Sequence, residues 1–140
     1  MGSNLSTATE VPVNLGDRSY KIVIAPEAMD EVASIVSKAV ATSHLVVVSD
    51  SNVAPIYLDQ ITQQLAGQFE RVDNIVVPAG EPSKSVAQLD QLWQQMIQLK
   101  TGRKSAVIAL GVVVGELAGF LAASLTRGLP FVQIPTSLLA

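Results

Sequence analysis

Short apolar runs alternate along this sequence with longer segments of helical periodicity. The runs at 45–48 and 106–110 are uninterrupted, which is typical of strands that are buried on both faces of a parallel sheet. A third run, at 131–134, contains one polar residue and also predicts a strand. Residues 86–99 instead place apolar side chains three and four positions apart, as one buried face of a helix requires. Strands and helices in regular alternation predict an α/β fold with a doubly wound, mainly parallel sheet.

The predicted elements form one domain over residues 11–140, after a flexible leader at 1–10. Two β-prone runs, at 11–14 and 20–24, flank a glycine-containing turn and predict an N-terminal β-hairpin. A chain of 140 residues is long enough to bury a single ordinary core. The other predicted elements are helices at 26–40, 55–66 and 116–125 and a strand at 74–78.

The composition favours the same fold and narrows the possible functions. Hydrophobic residues make up 49% of the chain and aromatic residues only 4%, so the core is aliphatic, as in parallel sheets covered by helices. The net charge is −3 and the nine Lys and Arg residues are scattered, so we expect no nucleic-acid binding. The sequence has no cysteine, no signal peptide and no long apolar span. We therefore expect a cytoplasmic protein that does not bind membranes.

A glycine-containing loop follows one of the predicted strands. Gly111 and Gly115 enclose three valines between the strand at 106–110 and a predicted helix. The first N–H groups of a helix lack intrahelical partners and carry partial positive charge, so a diphosphate can bind there if the loop is not bulky. The same pattern is also common as a purely structural turn, and the residues alone leave both interpretations open.

Polar residues follow two other predicted strands. Asp50 and Asn52 come after the strand at 45–48, where a carboxylate can hold a ribose or cap the next helix. Glu81 and Lys84 follow the strand at 74–78, where they can contact ribose hydroxyls or form a solvated turn. These alternatives also stay open.

The remaining polar residues give weaker signals. Arg127, between a predicted helix and strand, can bind a phosphate or carboxylate or can complement a helix C-terminus. His44 is the only histidine and lies in a polar context, so we expect it at the surface. The carboxylates are dispersed, and we expect no metal site in this chain. No serine lies in a Gly-x-Ser-x-Gly motif, so a serine hydrolase has no support.

Five segments together resemble the amino-terminal half of 3-dehydroquinate synthase, a member of the sugar-phosphate cyclase superfamily. The resemblance implies a Rossmann-like domain of an NAD- and metal-dependent lyase. That enzyme converts 3-deoxy-arabino-heptulosonate 7-phosphate to 3-dehydroquinate with loss of phosphate, in the shikimate pathway of aromatic amino acid biosynthesis. The five segments are residues 49–53, 78–84, 108–120, 127–133 and 135–140.

The resemblance also implies roles for ten residues. One, Arg127, would contact the substrate phosphate, from the neighbouring subunit of a homodimer. The divalent metal of the family, such as zinc or cobalt, would be held by residues beyond position 140. The other nine would contact NAD: Asp50 and Asn52 at the adenosine end, Glu81 and Lys84 at the ribose, Gly111 and Gly115 at the diphosphate, Glu116 at the nicotinamide side, and Thr136 and Ser137 elsewhere on the cofactor.

The sequence departs from the family in three places. The family loop Gly-Gly-Gly-Val-Val-Gly-Asp is here Gly-Val-Val-Val-Gly-Glu, at 111–116. The lost residue removes about 3.8 Å of chain and valine adds branched bulk, so we expect NAD binding to be weak or lost. Ser137 replaces a second threonine and keeps the hydroxyl.

The third departure is that the sequence ends before the family's metal-binding helical domain. We therefore expect the chain to be inactive by itself. The alternative hypothesis is a non-catalytic module, isolated or redesigned, that has lost NAD binding and self-associates through apolar surface.

Overall fold

A computed structural model describes residues 9–24, 28–125 and 128–136. No helix in these ranges is long and apolar enough to cross a membrane. The regular elements are β1 (Thr9–Val13), β2 (Tyr20–Ile24), α1 (Val32–Ala39), β3 (His44–Asp50), α2 (Ala54–Ala66), β4 (Arg71–Val77), α3 (Val86–Gln98), β5 (Ser105–Leu110), α4 (Val114–Ser124) and β6 (Phe131–Ile134), with 3₁₀ turns at Gly16–Arg18, Ala28–Glu31 and Glu81–Ser83.

The four later strands form one parallel sheet in the order β4-β3-β5-β6, and β1 and β2 form a separate antiparallel hairpin. The predicted fold class and the N-terminal hairpin are thus confirmed. The chain runs outward from β3 to β4 and then crosses back to β5 and β6. The adjacent strands β3 and β5 therefore lead in opposite directions, and their carboxyl ends mark the topological switch point, where ligands bind in open sheets of this kind.

Helices cover both faces of the sheet. Helices α1 and α2 pack on one face, against alternate residues of β3 and β5 such as Val47 and Ile108. Helices α3 and α4 pack on the other face, against the intervening residues such as Val46 and Val107. Because both faces are covered, every residue of β3 and β5 is buried, and this explains their uninterrupted apolar runs.

Some element boundaries differ from the predicted ones. Helix α4 begins at Val114, two residues before the predicted start, because the consecutive valines carry no polar residue that marks the first turn. Helix α1 begins at Val32, after the 3₁₀ turn, although the predicted helix began at residue 26, which lies outside the described residues. Strand β1 begins at Thr9, within the segment assigned to the leader.

His44 is buried, so the prediction of a surface position is wrong. Its side chain lies at the start of β3 and is 7% exposed. Nε2 lies 2.8 Å from Oδ2 of Asp73 on β4, and Nδ1 lies 2.9 Å from Oγ of Ser105 on β5. Ser105 Oγ also accepts a hydrogen bond from the Gly102 N–H. The imidazole thus joins three strands, through partners that are distant in sequence.

We expect His44→Ala to lower the free energy of unfolding by about 1–3 kcal/mol, because Asp73 and Ser105 each lose one hydrogen-bond partner at a site that is largely shielded from solvent. Urea denaturation followed by far-ultraviolet circular dichroism measures this change. Ser37→Ala is the matched control, since it removes an exposed hydroxyl whose hydrogen bond stays within one helical turn. Equal stability of the two variants would contradict a structural role for the imidazole.

Candidate functional site

The segments that follow β3, β4 and β5 meet at the carboxyl edge of the sheet, beside the switch point. They enclose a narrow cleft, here named the carboxyl-edge cleft, between the end of β3, the turn after β4 and the first turn of α4. Its lining includes Asp50, Gly80, Lys84, Val113 and Leu117. The structure therefore brings residues from three of the segments singled out in the sequence to one place.

Asp50 is buried at the end of β3 and uses its carboxylate within the protein. Oδ1 accepts hydrogen bonds from the main-chain N–H groups of Asn52 (2.8 Å) and Val53 (2.9 Å), just before α2. Oδ2 faces the glycine loop, 3.1 Å from the position that a Cβ atom on Gly111 would take. Asp50 thus closes the turn that leads into α2, whose N-cap residue Val53 makes no side-chain hydrogen bond of its own. The side chain of Asn52 is exposed.

Side chains of the protein lie against both glycines of the loop. Gly111 has a φ of +138°, and a Cβ atom there would lie 3.1 Å from Asp50 Oδ2 and from Val114 Cγ1. A Cβ atom on Gly115 would collide with the side-chain amide of Gln133 on β6. The space that the missing side chains leave is thus occupied by protein atoms.

The loop fits a bound diphosphate only in part. Its connecting segment is three residues long, at 111–113, and the first turn of α4 has no side-chain cap. The main-chain N–H groups of that turn are suitable donors to an anion. However, Val113 lines the carboxyl-edge cleft, and Val114 is 2% exposed and packs against Gly111. The loop thus offers main-chain donors, while Val113 and Val114 narrow the space beside them.

Lys84 forms an ion cluster at the mouth of the carboxyl-edge cleft. Its Nζ lies 3.0 Å from Oε2 of Glu116, in the first turn of α4, and 3.3 Å from Oε2 of Glu81. Three residues that the sequence singled out are therefore in direct contact. Both glutamates are exposed, so solvent and salt weaken these pairs.

The ion cluster raises the pKa of Lys84. The hydrogen bond with Glu116, followed by that with Glu81, raises the pKa of Lys84 above its ordinary value of 10.5, while desolvation opposes the rise. Since the folded pKa is the higher one, the stabilising contribution is fully present below pH 10.5 and is lost as the pH rises through the folded pKa. Lys84 is thus a cation throughout the neutral range.

The other predicted site residues do not line the carboxyl-edge cleft or lie outside the described residues. Thr136 follows β6 and is partly buried, whereas Arg127 and Ser137 lie outside the described residues. The structure also shows two contacts near the site that the sequence did not predict. Ser51 Oγ accepts a hydrogen bond from the Ala79 N–H at 2.9 Å, and Gln133 lies against Gly115. A polar residue within the apolar strand β6 was the available signal for Gln133.

Metal ligands do not come together in the part of the chain that the structure describes: no three His, Asp or Glu side chains there could hold an ion.

We expect Gly111→Ala to destabilise the fold by about 1–3 kcal/mol, because an L residue is strained at this φ and its Cβ meets Asp50 and Val114. Gly102→Ala is the control, since no atom lies within 4 Å of its Cβ position. Urea midpoints of both variants provide the comparison. A Gly111→Ala variant as stable as the control would show that the loop relaxes freely.

Comparison with known proteins identifies the fold and the family. Residues 74–140 match the family described as 3-dehydroquinate synthase N-terminal. The 3-dehydroquinate synthase of Desulforamulus reducens is 42% identical over 93% of this chain and 36% of its own length. That of Zymomonas mobilis is 42% identical over 100% of this chain and 37% of its own length. The chain therefore spans little more than a third of these relatives.

Solved structures of related enzymes share the fold of this chain. A 2-deoxy-scyllo-inosose synthase superimposes with a TM-score of 0.82 at 23% identity, over 94% of this chain and 37% of that one. The 2-epi-5-epi-valiolone synthase of Streptomyces hygroscopicus, with NAD⁺ and Zn²⁺ bound, gives 0.71 at 26% identity, over 90% and 35%. By its sequence identity to 3-dehydroquinate synthases and by the fold it shares with sugar-phosphate cyclases, this chain belongs to the 3-dehydroquinate synthase family and corresponds to the amino-terminal part of its members.

Proposed function

We propose that this chain is the nucleotide-binding part of a 3-dehydroquinate synthase-like enzyme. The observation that supports this best is the convergence of Asp50, Lys84 and the glycine loop at the switch point between β3 and β5, where sheets of this kind bind dinucleotides. Two structural neighbours are described with NAD⁺ and a divalent metal bound. The complete enzyme would convert 3-deoxy-arabino-heptulosonate 7-phosphate to 3-dehydroquinate and phosphate.

Within this proposal, the residues around the carboxyl-edge cleft contact different parts of NAD. When bound, NAD supplies a transient hydride acceptor. Glu81 accepts hydrogen bonds from ribose hydroxyls, and Lys84 offers a cation beside them. Glu116 lies toward the nicotinamide side. Asp50 positions the turn before α2, because Oδ1 of its carboxylate already accepts two main-chain hydrogen bonds.

The loop geometry supports weak or absent NAD binding. A diphosphate needs the main chain of the loop to approach it closely, and here Val114 and Asp50 fill the space beside Gly111. The side chain of Val113 lines the remaining gap. Polar groups that suit the cofactor thus surround a loop that must rearrange before it can bind a diphosphate.

Catalytic turnover would need the rest of the complete enzyme in addition to these 140 residues. The chain spans 36–37% of the length of the two 3-dehydroquinate synthases compared with it above, and we propose that the 140 residues alone are inactive. A metal such as zinc or cobalt would be held elsewhere in the complete enzyme. We also propose that the enzyme is cytoplasmic and that, in a homodimer, Arg127 contacts the substrate phosphate of the neighbouring subunit.

A second candidate function is a non-catalytic module that self-associates. Three large apolar side chains on α3 and α4 are exposed, namely Val86, Ile97 and Phe120. These helices pack on the same face of the sheet, and exposed apolar side chains favour association. This function would require that NAD binding is lost altogether.

Restoring the family loop is the first test of NAD binding. The variant inserts one glycine after Gly111 and changes Val112→Gly. We expect this variant to bind NAD at least about tenfold more tightly than the parent, because a loop that must first reorder binds more weakly than one already competent. Isothermal titration calorimetry measures both affinities.

A control variant inserts one glycine after Gly16, in the hairpin turn, and should leave NAD binding unchanged. Tight binding by the parent would contradict the proposed defect. Absence of binding by the loop-restored chain, with the fold intact by circular dichroism, would favour the self-associating module.

The side-chain assignment has its own test in the loop-restored chain. We expect Glu81→Ala to weaken NAD binding by about tenfold, because a charge-assisted hydrogen bond contributes about 1.5 kcal/mol or more. Asp59→Ala, which removes an exposed carboxylate from α2, should not change the affinity. Calorimetric titration of both variants decides the point, and an unchanged affinity in Glu81→Ala would remove this residue from the site.

A further inference from the structure

The amino edge of the sheet, opposite the carboxyl-edge cleft, carries a second concave surface. This surface, here named the amino-edge depression, encloses about 440 Å³. Its nine lining residues come from the amino ends of β3, β4 and β5 and from the turn after α3: Ser43, His44, Glu70, Arg71, Lys100, Gly102, Arg103, Lys104 and Ser105. A volume of this size accommodates a small ligand.

Four of the nine Lys and Arg residues of the chain line the amino-edge depression, namely Arg71, Lys100, Arg103 and Lys104. The chain as a whole has a net charge of −3, so this surface is a local exception. Glu70 is the only carboxylate in the lining. Asp73, just below it, is already engaged by His44 and Arg71. The depression thus has a clear excess of positive charge.

Complementing helix dipoles accounts for only part of this charge. Lys100 follows the C-terminus of α3, where a cation stabilises the helix. Arg103 and Lys104 are instead placed in the turn that leads into β5, where they complement no helix end. Neither forms an ion pair within the described ranges. Their charges are therefore available to a ligand.

The main chain that carries these cations is cross-linked across three strands. The Lys104 carbonyl oxygen accepts hydrogen bonds from the His44 N–H at 3.0 Å and the Ser43 N–H at 3.3 Å. The Arg71 N–H donates to the Ser43 carbonyl oxygen at 3.1 Å. Below them, His44 connects Asp73 to Ser105. The main chain of the depression is consequently fixed, which lowers the entropic cost of binding.

Arg71 is also oriented for an anion. Its Nε donates to Asp73 Oδ2 at 2.8 Å, which fixes the plane of the guanidinium, while about half of the side chain is exposed. The two terminal nitrogens have no ion-pair partner among the described residues and can present a fork of N–H donors to a phosphate group. Ser43 adds a hydroxyl to the same lining.

We propose that the amino-edge depression binds a compact polyanion of the pyrophosphate or small phosphate-ester class. The lining contains no apolar side chain and no aromatic ring besides the imidazole of His44, whose two nitrogens already have partners. A nucleobase would therefore find no surface to stack on, and the recognised part of the ligand is the phosphate itself. This site is distinct from the proposed NAD site, which lies at the other edge of the sheet.

Calorimetric titration of the full 140-residue chain with inorganic pyrophosphate, at about 0.15 M salt, tests the proposal. The key variant is Arg103→Gln with Lys104→Gln, which leaves the buried network untouched. We expect it to bind about tenfold more weakly than the parent. The matched control is Arg18→Gln with Lys38→Gln, which removes the same charges from exposed positions elsewhere and should retain the parent affinity.

Amide chemical shifts separate this site from the cofactor site. Pyrophosphate should shift the amide resonances of Gly102 and Ser105 and leave that of Gly111 unchanged. Equal losses in the two double variants would mean non-specific charge attraction and would overturn the proposal. Shifts confined to Gly111, or no binding at all, would also overturn it, whatever the result of the NAD titrations.

Discussion

The pairing of β3 with β5 joins the two halves of this fold and brings Asp50 beside Gly111. Asp50 ends β3 and Gly111 follows β5, and these are the adjacent strands from which the chain leads away in opposite directions. One carboxylate oxygen of Asp50 accepts two main-chain hydrogen bonds just before α2. The other faces the loop that leads to α4. Nearby, Ser49 Oγ donates to the Leu110 carbonyl oxygen. Apolar packing thus holds the helices on the two faces of the sheet, and these polar contacts fix the segments that lead into α2 and α4.

This arrangement places fold stability and cofactor binding in competition for the same space. A glycine that is free for ligand binding must have an open Cβ position, but the Cβ positions of Gly111 and Gly115 are both occupied by side chains of the protein. In a loop of only three residues, Val114 must already be helical, so its side chain cannot move away from Gly111 without unwinding the first turn of α4. A longer loop would allow Val114 to stay in the first turn of α4 while the main chain at Gly111 stays open to a ligand.

Much of the fold could be predicted from the sequence, because its signals are local. The apolar runs of β3 and β5 follow from burial on both faces of a parallel sheet, and the bounds of the edge strand β6 agree with the predicted ones. The start of α4 could not be located, because three consecutive valines contain no capping residue. The burial of His44 was missed for a different reason: its partners lie 29 and 61 positions away, and only the strand register brings them together.

The two edges of the sheet also differ in how their cations are held, and sequence spacing predicts this difference poorly. Lys84 is separated from Glu116 by more than thirty residues, yet the two are in direct contact. An anion that approaches Lys84 must therefore compete with Glu116 and Glu81, and their repulsion weakens its binding. At the amino edge, Arg103 and Lys104 meet no such competition from the residues that line the depression with them, apart from Glu70. Electrostatics alone would thus favour a small free anion at the amino edge, whereas the carboxyl edge needs a ligand with hydroxyl groups that the two glutamates can bind.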